Sequence, residues 1–348
     1  MNHWLEFLQS QNAHIDDGEV VHFEQTNNTV KEPMISPLSH YGVLALSGAD
    51  VDTFIQNQFC NDVRLTTLEQ SQLSAYCSPK GRVLSLFRLV RQADRYLLLM
   101  PRERILPTQQ RLKMFVLMSQ VVIEDVSNEM AIMGCYGPGS DALLQQTLLQ
   151  QAHLPTQTDQ CVQIPPLTLI HVSQTGPMYL ILGSQESIIT AWSQLQDGAN
   201  PTGPYSWRWH GIQAGLPEIY PATSEDFVPQ MLNLHSLNAI NFKKGCYPGQ
   251  EVVARVHYLG KQKRRMYLAH AHTQTVPHAG ENLHTKDDPQ GQSVGKVVCA
   301  EPAPDGGADF LAVIQTKNAE SDSIQLPDGS LITIKDLPYF VELEGKKS

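Results

Sequence analysis

No two of the six cysteines form a CxxC pair: Cys60, Cys77, Cys135, Cys161, Cys246 and Cys299 lie far apart along the 348 residues. That spacing excludes a disulfide scaffold, a zinc finger and a ferredoxin-type cluster loop, and it fits a reducing compartment. Nor does the start, MNHWLEFLQSQNAHIDDGE, carry a basic stretch followed by an apolar one, as a secretory signal would. Apolar runs stop far short of bilayer length, so no membrane partner is expected and the chain reads as soluble and cytoplasmic. Excess positive charge is missing too. The net charge of −10 excludes non-specific nucleic-acid binding by the whole surface.

What is present is an ordinary globular composition, 41% apolar and 17% charged, in a chain long enough for two or three domains. The first thirty or so residues are polar and mixed, and read as a loosely held lead-in, assigned here as residues 1–40. From 43 onward the periodicity sharpens. Val43–Ser47 reads as a strand, Asp50 as a helix N-cap, and Val51, Phe54, Ile55 and Gln58 as one helical face. Val83–Val90 and Tyr96–Met100 read as strands. Arg102–Met118 reads as a helix with Leu106, Leu112, Phe115 and Val116 inward, and Val121–Val126 as a closing strand. The order is that of a split βαβ layer, assigned to residues 41–130.

A similar order returns in residues 131–262. Ala131–Cys135, Leu167–Val172 and Met178–Leu182 are strand-like, and Ser140–Gln150 and Gln185–Leu195 are helical. Two such halves would leave a cleft for a small ligand. Gly203, Trp207, Trp209, Gly211 and Gly215 suggest turns between 201 and 215. Residues 263–348 alternate short β-like runs with Pro-Asp-Gly turns, the pattern of a small antiparallel barrel.

One segment concentrates chemistry: Lys244-Gly245-Cys246-Tyr247-Pro248-Gly249-Gln250-Glu251, with Arg255 four residues on. Two glycines bracket the thiol, so the backbone turns tightly there. A cation two residues from a cysteine favours its thiolate, and Gln250 and Glu251 offer polar partners. The bland reading is a small buried hydrophobe in a packed turn. Between 243 and 265 lie seven cations (Lys243, Lys244, Arg255, Lys261, Lys263, Arg264, Arg265) against Glu251, a local net of +6 that leaves −16 for the rest. Such a patch would attract a polyglutamyl tail, a phosphate backbone or an acidic protein, unless it is simply a solvated face. No aromatic residues interleave it in the RNA-stacking pattern, so direct RNA binding is not expected. His270 and His272 share a strand face with no third ligand in view. No metal is assigned.

The KGCYPGQE segment resembles the signature of the YgfZ family, K-G-C-Y-x-G-Q-E, matching at Lys244, Gly245, Cys246, Tyr247, Gly249, Gln250 and Glu251. The resemblance runs on through Leu46–Asp50, Gln58–Val63, Ser78–Arg82, Ile212–Pro217 and Phe227–Leu234. It implies an α+β, three-domain, aminomethyltransferase-like fold, with ferredoxin-like halves around a central channel and a C-terminal β-barrel. It also implies bound tetrahydrofolate, held here by Tyr41 and Trp207 through ring stacking and by Gln213 through its amide. The family usually has Trp where this chain has Tyr41, and relatives often carry Glu at the position of Gln213. Cys246 would be the functional thiol.

By the same resemblance the protein would support iron–sulfur enzymes, including tRNA methylthiotransferases, and thereby tRNA modification. The related glycine-cleavage enzymes carry an Asp pair soon after the first-domain glycines. Here that stretch reads Gly81-Arg82-Val83-Leu84-Ser85-Leu86. Without a carboxylate the general acid–base step lacks its group, so aminomethyl transfer is not expected. The alternative is a folate-dependent one-carbon transferase working through another residue.

Overall fold

A computed structural model of the protein describes residues 3–24, 33–150, 152–259, 262–321 and 323–341. It divides into two compact units that interleave along the chain. One holds Met1–Val51, Leu65–Gln72 and Arg88–Arg208, the other Asp52–Arg64, Leu73–Phe87 and Trp209–Ser348.

In the first unit, a six-stranded sheet runs in the order Cys161–Ile164, Leu167–His171, Met178–Ser184, Met130–Tyr136, Met34–Pro37, Asn200–Pro201. Helix Gln185–Leu195 lays Ile188, Ala191, Trp192 and Leu195 on it, and the Ser184 hydroxyl caps its start by accepting from the Ser187 N–H. Residues near the N-terminus join this core. Trp4 and Leu8, one turn apart on helix His3–Ser10, are both buried, and the Trp4 ring meets Trp192 edge-on at 5.5 Å. Two apolar side chains at helical spacing are enough to dock a segment whose overall polarity hides them.

Strand Tyr41–Ser47 pairs on one side with Arg95–Pro101 and on the other with Val122–Asp125. The helix expected over 102–118 is shorter. A 3-10 turn, Arg102–Arg104, leads into the α-helix Ile105–Lys113. Its buried positions are Ile105, Thr108 and Leu112, so Leu106 and Phe115, expected inward, are exposed. Ile105, seven residues before the buried Leu112, shares its face, Leu106 is turned about 100° away from it, and Phe115 lies beyond the helix end. Asp50, expected as an N-cap, takes the Gln120 N–H on its Oδ2 at 2.7 Å.

In the second unit, the sheet order is Ile324–Gln325, Asn282–Thr285, Gly295–Pro302, Ala308–Gln315, Arg264–Ala271, Ile332–Lys335. A bridge between Gln325 and Leu331 draws the two edges together into a nearly closed barrel. Alternation along Arg264–Ala271 sends Tyr267, Ala269 and Ala271 into the barrel's own core. Met266 and Leu268 go to a second cluster with Tyr247 and Val253. The glycines and tryptophans of 201–215, which suggested turns, fall largely on a helix, Pro204–Gln213, opened by its proline. No helix among the described residues is long and apolar enough to cross a membrane.

Candidate functional site

The KGCYPGQE segment is a loop that ends as Gln250 starts helix Gln250–Leu259. Gly249 makes the approach possible. Its φ is +81°, and a Cβ there would stand 2.4 Å from the Ser78 carbonyl oxygen and 2.6 Å from the Gly81 Cα. Any other residue would push the loop off the Ser78–Arg82 turn. Tyr247 is buried in the same core as Ile212, Val253 and Leu268. Cys246, one residue earlier, is the exposed cysteine; the other five are buried.

Lys244 turns inward. Its ammonium donates to the carbonyl oxygens of Gln56 at 2.6 Å, of Asn61 at 3.0 Å, and of Phe59. Those carbonyls belong to the last turn of helix Val51–Gln58 and the residues after it, where unpaired acceptors collect and the helix dipole is negative. Three donors meet three acceptors, so none is left to serve Cys246. The amine also lies 5.2 Å from the centroid of the Tyr247 ring. Burial pulls it down to about 8, with Cys60 and Asp62 opposing that fall.

One further cysteine, Cys60, feels this amine's charge, and it is hydrogen-bonded to another, Cys77. Cys60 donates to the Ala239 carbonyl at 3.3 Å and accepts the Ala75 N–H at 3.3 Å. Burial alone would raise its thiol, but the hydrogen bond from Cys77, the Ala75 N–H and the Lys244 charge outweigh it and hold Cys60 below its ordinary value. Cys77 is pushed well above, by that same bond and by burial. The sequence motif thus leads to a buried thiol pair, Cys60 and Cys77, that its spacing did not announce.

The remaining motif residues are simpler. Gln250 donates to the Lys244 carbonyl at 3.3 Å, tying the loop's two ends. Glu251 and Arg255 pair with each other at 2.9 Å on the exposed face of their helix, and Gly245 has open space around it. The basic stretch is correspondingly divided. Lys244 is buried, Arg255 is paired, Arg265 lies over the Tyr267 ring at 4.6 Å, and Lys261 is outside the described residues.

Trp207 belongs to one buried cluster of the first unit, and Tyr41 packs against that cluster. Trp207 is buried, its ring 5.5 Å from Tyr136 and edge-on to it. Gly134 leaves room for the indole, since a Cβ there would come within 2.2 Å of it. Tyr41 is half-buried against His40, ring centroids 4.3 Å apart, beside a recess of about 20 Å³. That recess holds about one water. Gln213 lies in the second unit, its amide N–H donating to Asp309 Oδ2 at 3.0 Å.

Asp309 was missed by the sequence reading and is the centre of a network. Its two oxygens also take the Trp209 indole N–H at 2.9 Å, the Lys335 ammonium at 2.9 Å and His270 Nδ1 at 2.8 Å. Burial would raise this carboxyl, yet its donors hold it below the usual range. The signal was available: a lone acid inside the apolar run Ala308-Asp309-Phe310-Leu311-Ala312.

Comparison with known proteins places this geometry. The chain is 30% identical over 311 residues to the tRNA-modifying protein YgfZ of Colwellia psychrerythraea, covering 88% of this chain and 94% of that one. It is 31% identical over 307 residues to the protein of the same name from Escherichia coli O45:K1, covering 88% and 93%. No protein-family model matches. Among solved structures, the glycine cleavage system aminomethyltransferase T of Bartonella henselae superposes with a TM-score of 0.73 over 98% of both chains at 14% identity. That likeness is one of fold, and it is the α+β fold expected from the sequence.

Proposed function

Because the chain belongs to the family of the tRNA-modifying protein YgfZ, we propose that it is a cytoplasmic, tetrahydrofolate-binding accessory protein. It sustains iron–sulfur enzymes, those that methylthiolate tRNA among them, with Cys246 as its working thiol. The observation that carries this reading is the contrast within the KGC segment. Lys244 is sunk in a carbonyl cradle while Cys246, two residues away, stands exposed. A loop pinned so firmly presents its thiol at a fixed place to a partner, the arrangement a functional cysteine needs.

The residues expected to hold folate fit it unevenly. The enclosed ring of Trp207 offers a pterin no face, and the recess beside Tyr41 is too small for one. Gln213 fits better, since its amide oxygen accepts no hydrogen bond from the described residues and is available to a pterin N–H. When bound, the folate would supply one-carbon chemistry. On the protein side, the Gly81–Leu86 stretch puts Ser85 and three apolar residues in a buried strand with no carboxylate to move a proton.

Two measurements test the proposal. Cells lacking the protein are given the wild type or Cys246→Ala, and methylthiolated tRNA nucleosides are quantified; full restoration by Cys246→Ala removes the thiol from the function. Calorimetric titration with tetrahydrofolate on the wild type and on Gln213→Ala tests the ligand separately. Saturable binding weakened by the substitution supports it, and no binding to the wild type overturns it. Turnover of tetrahydrofolate with an amine donor would instead establish the one-carbon transferase.

A further inference from the structure

Six of the thirteen exposed large apolar side chains among the described residues fall within 106–122: Leu106, Met114, Phe115, Leu117, Met118 and Val122. Leu117 and Met118 are 85% and 96% exposed. Lys113 and Met114 lie seven and eight positions after Leu106, on the outer face of helix Ile105–Lys113 and the turn after it. Four of the five residues 114–118 are then displayed in succession. Scattered surface hydrophobes need no cause, but a cluster of this density on a charged, soluble chain marks a contact surface.

Two observations say what the surface contacts. Leu117 has a φ of +42°. A branched side chain in the left-handed region is strained, and the strain here holds an apolar side chain out in water rather than in a core. The second is charge. Residues 104–123 contain Arg104, Arg111 and Lys113 and no Asp or Glu, bounded by Glu103 and Glu124, in a chain of net −10. Neither Arg111 nor Lys113 has a carboxylate partner among the described residues. Arg111 is half-buried and Lys113 exposed, so both charges can meet carboxylates of a partner.

We infer that this surface docks an acidic amphipathic segment of a partner protein, its apolar anchors on Met114, Phe115, Leu117 and Met118 and its carboxylates on Arg111 and Lys113. Two methionines suit such a surface, because a flexible thioether side chain moulds itself to different partners. A membrane fits less well. The patch holds no Trp or Tyr, two unpaired cations attract an anionic leaflet only weakly, and the rest of the chain repels it. A symmetric second copy would set Arg111 and Lys113 against themselves.

The test uses the full chain and a fluorescent amphipathic peptide with Leu and Phe at helical spacing and Glu on its polar face, against a twin with Lys for Glu. Saturable binding of the Glu peptide is expected, weakened about tenfold or more by Met118→Asp and by Arg111→Gln, and weakened by salt. The Lys twin binds at least about tenfold less well. Melting curves confirm that both variants are folded, which the exposure of Met118 makes the expected result. The inference is overturned by no saturable binding, by equal binding of the two peptides, or by binding unchanged in both variants. Phosphatidylglycerol vesicles that bind the wild type and not Met118→Asp would give the surface to a membrane instead. Concentration-dependent association abolished by Met118→Asp would give it to a second copy.

Discussion

Lys244 Nζ donates to the Gln56 carbonyl oxygen at 2.6 Å, so a residue of the cysteine loop caps the last turn of helix Val51–Gln58. The ammonium satisfies acceptors that the helix cannot satisfy itself, and in return the helix end fixes the loop.

Removing that amine strands three carbonyls. Lys244→Ala is expected to lower stability by about 2–4 kcal/mol in a denaturant titration. Lys244→Arg is expected not to restore it, because a planar fork cannot replace a compact ammonium with three converging acceptors. Wild-type stability in the Ala variant would mean that water replaces the amine at no loss.

The same amine sets a pH dependence. Its value is about 8 in the folded chain against 10.5 for the free side chain. Between those values the unfolded chain binds the extra proton, so the contribution of Lys244 to stability rises with pH from 8 to 10.5 and is flat below 8. The stability difference between wild type and Lys244→Met, measured across that window, should grow with pH. A difference that stays constant would show the amine to be well solvated.

Thiol accessibility separates Cys246 from the rest. Of the six cysteines, a bulky disulfide reagent should titrate one quickly in the native protein and all six after denaturation. Cys246→Ser should remove the fast equivalent and leave the melting temperature unchanged, since the side chain is exposed. Fast reaction of a second thiol would show that one of the five buried cysteines is reached by local opening.

Asp309 explains why an amide serves at position 213. The Gln213 N–H lies 3.0 Å from its carboxylate. In Gln213→Glu that donor becomes a second carboxylate, which removes a hydrogen bond and pushes Asp309 up. The expected loss is about 1–3 kcal/mol at neutral pH, easing as pH falls through the carboxylate range and the pair takes up a proton. Urea melts at pH 7 and pH 4.5 would show it; an equal loss at both would rule out charge repulsion as the cause.

Leu117 offers the opposite sign. Leu117→Asn places a residue that tolerates the left-handed region where a strained leucine stands, and is expected to add about 1 kcal/mol of stability. Thermal melts check it. A destabilised variant would mean that the leucine is held by packing within the molecule.

The residues that act locally could be read in order. Strand Tyr41–Ser47, the short strands of the barrel and the tight turn through Gly249 follow from alternation and from glycine, interactions a chain makes with its neighbours in sequence. The KGCYPGQE signature marks the loop by its residue types alone. Direction and partnership were not legible. Lys244 stands two residues from Cys246, yet its charge goes to carbonyls 183 to 188 positions away. Trp207 fell in a stretch that suggested turns, and a glycine on a strand more than 70 residues earlier makes its pocket. Asp309 draws its donors from two strands and a helix distant in the chain. Periodicity says which side of an element faces inward; only packing decides what it meets there, because buried charges and orphan carbonyls find their partners in space and not along the sequence.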